Sequence, residues 1–455
     1  MKMITQFYGR SLAALLLALS GCSSIPSTEP PVTPVAAATA TPLPPPTPSP
    51  TATTIPPTVA VPSPSATSTA TPIPTSTETT DSPSAADLQA TVEAGLPPSP
   101  TPDAAGFSMG GFDGVTVLPL TNNSSGPPYW AVFTTGFRSF DPLENHFVAI
   151  YTQSNSGWQE VSRVELENAD YLDPATVSQV HLEPDHIWLE AQGGAGAHSG
   201  SYDLLSFDGQ TLRHDVSHFT SSPGGSRIED LNGDNSPDVL LDFTEYYVFC
   251  YACGVTRIQY QVLRWDGERL SEVNLTTLPE TAPGPLRDLT HRAIELAEAG
   301  LWRDAHETIN QAVALDGQDP VVTWDAALIR LHAEERAEQA REPYPLLGNV
   351  FYGDYAAALE VMRPYSVEQI FDQPTPLVDE TPAMGWEAEL SRWIIDSATP
   401  AVQVQPDLAA AFFLRGWARH LANPDNPDAL ADIERAASLD PEEPLFAQSL
   451  TYLKQ

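Results

Sequence analysis

The chain has 455 residues, which is enough for two or three domains. It carries 59 acidic and 21 basic side chains, so its formal net charge at pH 7 is −38. A surface of this charge repels phosphate backbones, which excludes nucleic acid as an expected partner.

The first 22 residues follow the order of a bacterial export signal. Lys2 and Arg10 supply positive charge, and residues 12–19 form an apolar run (LAALLLAL). Because a membrane-spanning helix needs about 20 apolar residues, this run fits the core of a secretory signal. The tetrapeptide LSGC, which ends at Cys22, resembles the lipobox of bacterial lipoproteins. The resemblance implies a signal peptide over residues 1–21 and a lipid on Cys22 that holds the protein at the cell membrane, facing the extracytoplasmic side. The alternative is a plain signal peptide with a chance cysteine.

Residues 22–105 have the composition of a disordered linker. Between residues 26 and 102 the chain has 21 of its 45 prolines and no aromatic residue. Threonine, serine and alanine fill most other positions, so no core can offset the entropy of ordering the chain. Repeated Thr-Pro favours extended polyproline II, and the linker would act as a stalk or as a passive spacer. A short helix fits residues 87–94, where Gly95 and the prolines after it would end it.

Residues 106–280 predict an all-β module of repeated hairpins. Two segments share the pattern Tyr-x-x-Leu-x-aromatic-Asp-Gly-x-x-Leu, one beginning at Tyr202 and the other, 58 residues later, at Tyr260. Alternating apolar positions followed by Asp-Gly are typical of a β-hairpin with a tight turn. A looser unit begins at Tyr129. Repetition of this kind predicts stacked or radial β-units, either propeller-like or a sandwich.

An acidic loop with regularly spaced oxygen donors lies inside this module. Its sequence is DLNGDNSPD, and its positions 1, 3, 5, 7 and 9 are Asp230, Asn232, Asp234, Ser236 and Asp238. Ca²⁺ takes roughly six to eight oxygen ligands, and four side chains with the backbone carbonyl of Ser236 can converge on one ion. The loop resembles the calcium loops of FG-GAP and VCBS repeats, which are β-propeller units, and the resemblance implies one structural Ca²⁺ site. The alternative is an Asx-turn that caps a hairpin without metal.

A pair of cysteines follows the acidic loop. Cys250 and Cys253 are free to form a disulfide outside the cytoplasm. Their β-type surroundings favour a local structural disulfide over redox activity, which needs a helix N-terminus, and over zinc, which needs a second ligand pair.

Aromatic residues of the β-module could form a sugar- or protein-binding face, or pack across strands. These are Tyr246, Tyr247, Trp265 and Trp158.

Residues 285–455 have helical periodicity. Ala305, Ile309 and Ala312 recur on one helix face, and Gly300 stands where the preceding helix should end. Similar patterns occur over residues 353–362 and 412–441. They resemble tetratricopeptide (TPR) repeats, in which pairs of antiparallel helices stack and form a binding groove. The resemblance implies a helical repeat domain that binds a protein partner, and the alternative is a plain helical bundle.

These modules together indicate a binding or scaffold protein that is not an enzyme. A lipid anchor, a linker and two repeat modules serve to present and recognise partners, and no catalytic motif places a nucleophile beside a base. The leading hypothesis is a membrane-anchored extracytoplasmic lipoprotein that binds protein through its TPR-like domain and has a calcium-stabilised β-module. The alternatives are a calcium-dependent carbohydrate-binding adhesin and an extracytoplasmic hydrolase of glycans or peptides.

Overall fold

The computed structural model describes residues 84–96, 111–121, 127–140, 143–221, 223–341 and 343–455. Over these residues, antiparallel sheet lies between residues 111 and 272 and helices lie between residues 284 and 453. This order confirms the predicted fold class, an all-β module followed by an all-α one. Cys22, the predicted signal peptide and most of the predicted linker lie outside the described residues.

The described strands form an eight-stranded sheet, a four-stranded sheet and a short two-stranded ribbon. In chain order they are β1 (Gly111–Leu120), β2 (Tyr129–Phe137), β3 (Ser139–Phe140), β4 (Leu143–Glu144), β5 (His146–Ser154), β6 (Gly157–Leu166), β7 (Tyr171–Val180), β8 (Ile187–Ala195), β9 (Ser199–Phe207), β10 (Leu212–Thr220), β11 (Arg227–Glu229), β12 (Asp238–Asp242), β13 (Tyr260–Trp265) and β14 (Leu270–Glu272). Strands β11 to β14 form the small sheet, and β3 pairs with β4.

The large sheet curls until its two edge strands approach each other. Its strand order is β10-β9-β8-β7-β2-β5-β6, with β1 paired along β2. The backbone amide of Leu212 in β10 donates a hydrogen bond to Ser162 Oγ in β6 at 2.9 Å. Because strand side chains alternate between faces, one face supplies an apolar core that includes Phe133, Ile150 and Leu189.

The two predicted Asp-Gly hairpins are confirmed. Asp208 follows β9, and its Oδ1 accepts the backbone amides of Gln210 and Thr211 at 2.9 and 2.8 Å. Asp266 follows β13, and its Oδ1 accepts the backbone amides of Glu268 and Arg269 at 2.9 and 3.0 Å. In each turn the glycine after the aspartate has a positive φ, 93° at Gly209 and 103° at Gly267. The repeated motif is therefore a repeated hairpin.

Strand β12 is covered on both faces. Val239 and Leu241 lie in one apolar cluster with Trp188 of the large sheet. Leu240, which points the other way, lies in a cluster with Leu328 and other residues of the helical part. The small sheet is thus the middle layer between the large sheet and a helix, an arrangement closer to the sandwich-like alternative than to radial blades.

A helix within the predicted linker also belongs to the folded body. Helix α1 (Ala85–Glu93) begins with a capping box in which Ser84 and Asp87 bond each other's backbone amides. Its Leu88 is fully buried against Val115 of β1 and Val132 of β2. The folded part of the chain therefore includes a helix on the N-terminal side of the predicted module boundary at residue 106, because Leu88 and Val92 of α1 are buried against the sheet.

The helical part has ten helices among the described residues. They are α2 (Gly284–Glu298), α3 (Trp302–Asp316), α4 (Pro320–Gln339), α5 (Pro345–Tyr352), α6 (Tyr355–Met362), α7 (Val367–Phe371), α8 (Glu387–Val404), α9 (Ala409–Ala422), α10 (Pro427–Leu439) and α11 (Pro444–Leu453). Gly300 has a φ of 75° between α2 and α3, and Ala305, Ile309 and Ala312 are fully buried as the periodicity predicts. In the described part of the chain, no helix combines the length and the apolar character needed to cross a membrane.

Candidate functional sites at the ends of strand β12 and on helix α8

The acidic loop enters β12 and is held by its own first residue. The carboxylate of Asp230 accepts the backbone amides of Gly233, Asp234 and Asn235 at 2.9, 3.1 and 2.8 Å. Gly233 and Asn235 have φ values of 76° and 65°, a region that glycine and asparagine enter most readily. The sequence therefore curls this loop through Asx-type hydrogen bonds, as the metal-free alternative predicts.

Asp234 is the carboxylate of the loop that pairs with an arginine. Asn232 Nδ2 donates to Asp234 Oδ2 at 2.9 Å, and the Ser236 amide donates to Oδ1 at 2.9 Å. The guanidinium of Arg264, from β13, reaches the same Oδ2 at 2.6 Å. Although partial burial raises the pKa of Asp234, these hydrogen bonds together hold it below its usual value.

Asp238 closes the loop from a buried position. Its Oδ2 accepts the Leu231 amide at 3.2 Å, whereas its Oδ1 has no hydrogen-bond partner among the described residues. Burial raises the pKa of this carboxyl to about 6, and the negative charges of Asp234 and Asp230 add to the effect. An orphaned oxygen at position 9 fits a loop that offers ligands to a hard cation. Over the described ranges, no three His, Cys, Asp or Glu side chains converge as a metal-binding group.

The connection that leaves β12 is closed by the cysteine pair and anchored in the helical core. The sulfurs of Cys250 and Cys253 lie 2.08 Å apart, a disulfide distance, across a short 3-10 helix (Tyr251–Cys253). Val248 and Phe249 are buried among the helices, and Trp393 of α8 donates its indole N–H to the Val248 carbonyl at 3.1 Å. We call residues 243–259 the anchored loop.

The four aromatic residues singled out in the sequence do not share a face. Trp158 lies against Trp130, with ring centroids 6.0 Å apart, and Trp265 lies against buried Trp188 at 5.2 Å. Tyr246 and Tyr247 instead lie close to a third aromatic side chain, which no sequence pattern had indicated. This ring is Tyr251, whose centroid lies 6.3 Å from that of Tyr246 and 5.6 Å from that of Tyr247.

Tyr251 also contacts a histidine that is distant in the sequence. His198, at the tip of the β8–β9 hairpin, stacks on Tyr251 with a centroid distance of 4.2 Å and an interplanar angle of 25°. We call Tyr246, Tyr247, Tyr251 and His198 the aromatic platform. Fifty-three residues separate His198 from Tyr251, so no local spacing rule could have joined them.

A groove of about 520 Å³ lies on the surface of the helical part. Its wall from α8 consists of Glu387, Ala388, Ser391, Arg392, Ile395 and Asp396, and its wall from α9 consists of Leu421 and Ala422. Ser391 is only 1% exposed, and its hydroxyl has no hydrogen-bond partner in the described part of the chain. The groove therefore has a mostly apolar floor with one polar group that is not satisfied internally.

Helix α4 carries buried charge where it meets the small sheet. Arg336 donates to the carbonyls of Ile258 at 2.6 Å and Phe351 at 3.0 Å, and its guanidinium lies 4.9 Å above the Trp302 ring. Burial lowers the pKa of Arg336 to about 9. Burial also raises the pKa of Asp325 to about 7, although its Oδ1 accepts the Thr276 amide at 2.9 Å. These charges join the modules to each other and do not face solvent.

Comparisons with known proteins add no family to this description: no family model matches the chain, and no curated protein matches it.

Proposed function

We propose that this protein is a membrane-anchored extracytoplasmic lipoprotein that binds a protein partner through its TPR-like helical repeats and carries out no catalysis. The groove between α8 and α9 is the observation that carries the proposal. It is open and mainly apolar, and the charged side chains of Glu387, Arg392 and Asp396 line it beside the apolar ones, a mixture that suits an amphipathic segment of a partner.

The electrostatic character of the groove supports a basic segment as its occupant. Glu387 and Asp396 line it, and its one arginine, Arg392, lies 3.9 Å from Asp396. The chain as a whole has a formal charge of −38, which would steer a basic partner toward it. A lipid on Cys22 and the Pro- and Thr-rich linker that precedes α1 would present this groove away from the membrane surface.

We also propose that the acidic loop binds one Ca²⁺ ion with a structural role. The ligands would be the side chains of Asp230, Asn232, Asp234 and Asp238 and the carbonyl of Ser236. The unpartnered Oδ1 of Asp238 supports this assignment, because a buried carboxylate oxygen without a donor is stabilised by a nearby cation. When bound, the ion would offset most of the negative charge of the loop's three aspartates and fix the entry to β12.

Site-specific photocrosslinking tests the protein-binding proposal. The full chain, with a photoreactive residue at position 392 in the groove, should form a discrete adduct with a basic protein in its native membrane. The same residue at position 315 on α3, where Leu315 is 57% exposed, is the control and should not form that adduct. Ala388→Trp should fill the groove and abolish the adduct. Equal adducts at both positions, or an adduct that survives Ala388→Trp, would place the partner elsewhere.

A further inference from the structure

The aliphatic and the tyrosine side chains of the anchored loop differ in burial. Val248, Phe249 and Val255 are buried in the helical core, whereas Phe243, the first residue of the loop, is 45% exposed. The tyrosine side chains lie at the surface: Tyr247 is 51% exposed, and Tyr246 and Tyr251 are half-buried. The loop therefore exposes an aromatic surface, in which three of the rings carry hydroxyl groups, and it buries its valines.

The aromatic platform is held in place before any ligand arrives. The Cys250–Cys253 pair and the stack of His198 fix Tyr251 from two sides. The Tyr246 hydroxyl donates to Asp242 Oδ2 at 3.2 Å, and the Tyr247 amide donates to Glu245 Oε1 at 2.7 Å. Rings that need no reordering lose little entropy on binding, which is what a recognition surface requires.

The charges around the platform restrict the chemistry of its ligand. Glu245 is exposed beside Tyr247, and buried Asp242 lies behind Tyr246. Arg257, which pairs with Glu245 through a backbone bridge, has its guanidinium over Phe351 and Trp393 of the helical part, at 6.0 and 5.5 Å. Carboxylates repel acidic polymers but accept hydrogen bonds from hydroxyl groups.

From these observations we propose that the aromatic platform binds a neutral polysaccharide. The apolar C–H faces of its sugar rings would lie on Tyr247 and Tyr251, and its hydroxyls would donate to Glu245. This site is separate from the protein-binding groove, and its ligand is of a different class.

The position of the platform makes its binding independent of calcium. The acidic loop enters β12 and the platform follows its other end, so the two are separated by the five residues of this strand, about 13 Å at about 3.3 Å per residue. An ion held by Asp230 and Asp234 cannot reach a sugar on Tyr247. Binding at the platform should therefore survive removal of Ca²⁺.

Affinity electrophoresis of the detergent-solubilised full chain tests this proposal. Native gels would contain a soluble β-glucan, a galactomannan, a xylan or dextran, and a polyuronate gel would serve as the acidic comparison. We expect at least one neutral polysaccharide to retard the protein, with or without EDTA. Tyr247→Ala and Tyr251→Ala should each raise the apparent Kd about tenfold, whereas Tyr247→Phe, which keeps the ring, should bind nearly as well as the natural chain.

Leu315→Ala, an equally exposed apolar side chain on α3, is the matched control and should leave the retardation unchanged. Thermal unfolding by circular dichroism would show that each variant is folded, which the exposure of Tyr247 leads us to expect. The proposal is wrong if no neutral polysaccharide retards the protein, if the polyuronate alone does so, or if the tyrosine variants bind normally. Loss of binding in EDTA would assign recognition to the acidic loop. Loss of the groove adduct in Tyr247→Ala would make the platform a protein interface.

Discussion

Arg264 and Asp234 connect β13 to the acidic loop through a contact of 2.6 Å between Nη2 and Oδ2. The two residues are 30 positions apart, and strand register brings them together. The same guanidinium lies 5.0 Å above the ring of Trp324 on α4. The loop that resembles a calcium site therefore already contacts a cation of the chain itself.

Removal of this guanidinium should strengthen Ca²⁺ binding. Arg264→Gln frees Asp234 Oδ2 and removes a positive charge that competes with the ion. Since a partly exposed ion pair contributes about 1 kcal/mol at most, isothermal titration calorimetry should show about fivefold tighter binding. Arg269→Gln, which alters an 80% exposed arginine 4.0 Å from Asp266, is the control. Titrations without any Ca²⁺ heat in both proteins would identify the loop as a metal-free Asx-turn.

Asp325 should make stability depend on pH. Because burial raises its folded pKa to about 7 from an ordinary value of 3.8, the folded state holds the proton more tightly than the unfolded state does. The contribution of Asp325 to stability is therefore most favourable below about pH 4 and declines as the pH rises toward about 7.

Asp325→Asn should remove this penalty while its amide oxygen still accepts the Thr276 amide. We expect urea unfolding to show a gain of about 2 to 4 kcal/mol at pH 8 and a much smaller gain at pH 5. Asp288→Asn, at a side chain that is 75% exposed, should be neutral at both values. An equal gain for Asp325→Asn at both pH values would exclude ionisation as the cause.

Arg336 should contribute to stability despite the cost of burying its charge. Arg336→Met leaves the carbonyls of Ile258 and Phe351 without their donors, and each buried, unsatisfied group costs about 1 to 3 kcal/mol. We expect a loss of about 2 to 4 kcal/mol in the free energy of unfolding. Arg330→Met, at an exposed position of the same helix, is the matched control. A stabilised Arg336→Met variant would mean that desolvation of the guanidinium outweighs its hydrogen bonds.

Substitution of Gly416 should destabilise the contact between α9 and α10. A Cβ at this position would lie 2.9 Å from the Ala429 carbonyl oxygen and 2.9 Å from Ile433 Cδ1. Overpacking of this kind costs about 1 to 3 kcal/mol, which exceeds the helix-propensity gain of about 1 kcal/mol for Gly416→Ala. Thermal unfolding should therefore shift down for Gly416→Ala and stay nearly constant for Gly284→Ala, where the added Cβ meets no atom within 4 Å.

Features that depend on near neighbours could be predicted from the sequence. Asp208 and Asp266 bond amides two and three residues away, so Asp-Gly after an alternating strand was sufficient to predict both turns. Ala305, Ile309 and Ala312 face one neighbouring layer, and their helical period is therefore visible in the sequence. The oxygen donors of the acidic loop lie within residues 230–238, so their spacing is also visible in the sequence.

Features that depend on distant contacts could not be predicted. Helix α4 is buried around most of its circumference because it lies between the small sheet and the helical core, so it lacks a one-sided period. Arg264 beside Asp234 and His198 on Tyr251 depend on strand register and on the position of a hairpin tip, neither of which a single sequence reveals.

The β-module and the helical part share buried surfaces, so neither is expected to fold well as a separate fragment. Val248 and Phe249 belong by sequence to the β-module but fill space among the helices, while Leu328 of α4 covers the small sheet. A fragment that starts at residue 284 would have a void in its core and an apolar stripe turned to water. Such a fragment should aggregate or stay loosely packed, whereas a fragment over residues 84–455 retains all of the buried contacts among the described residues.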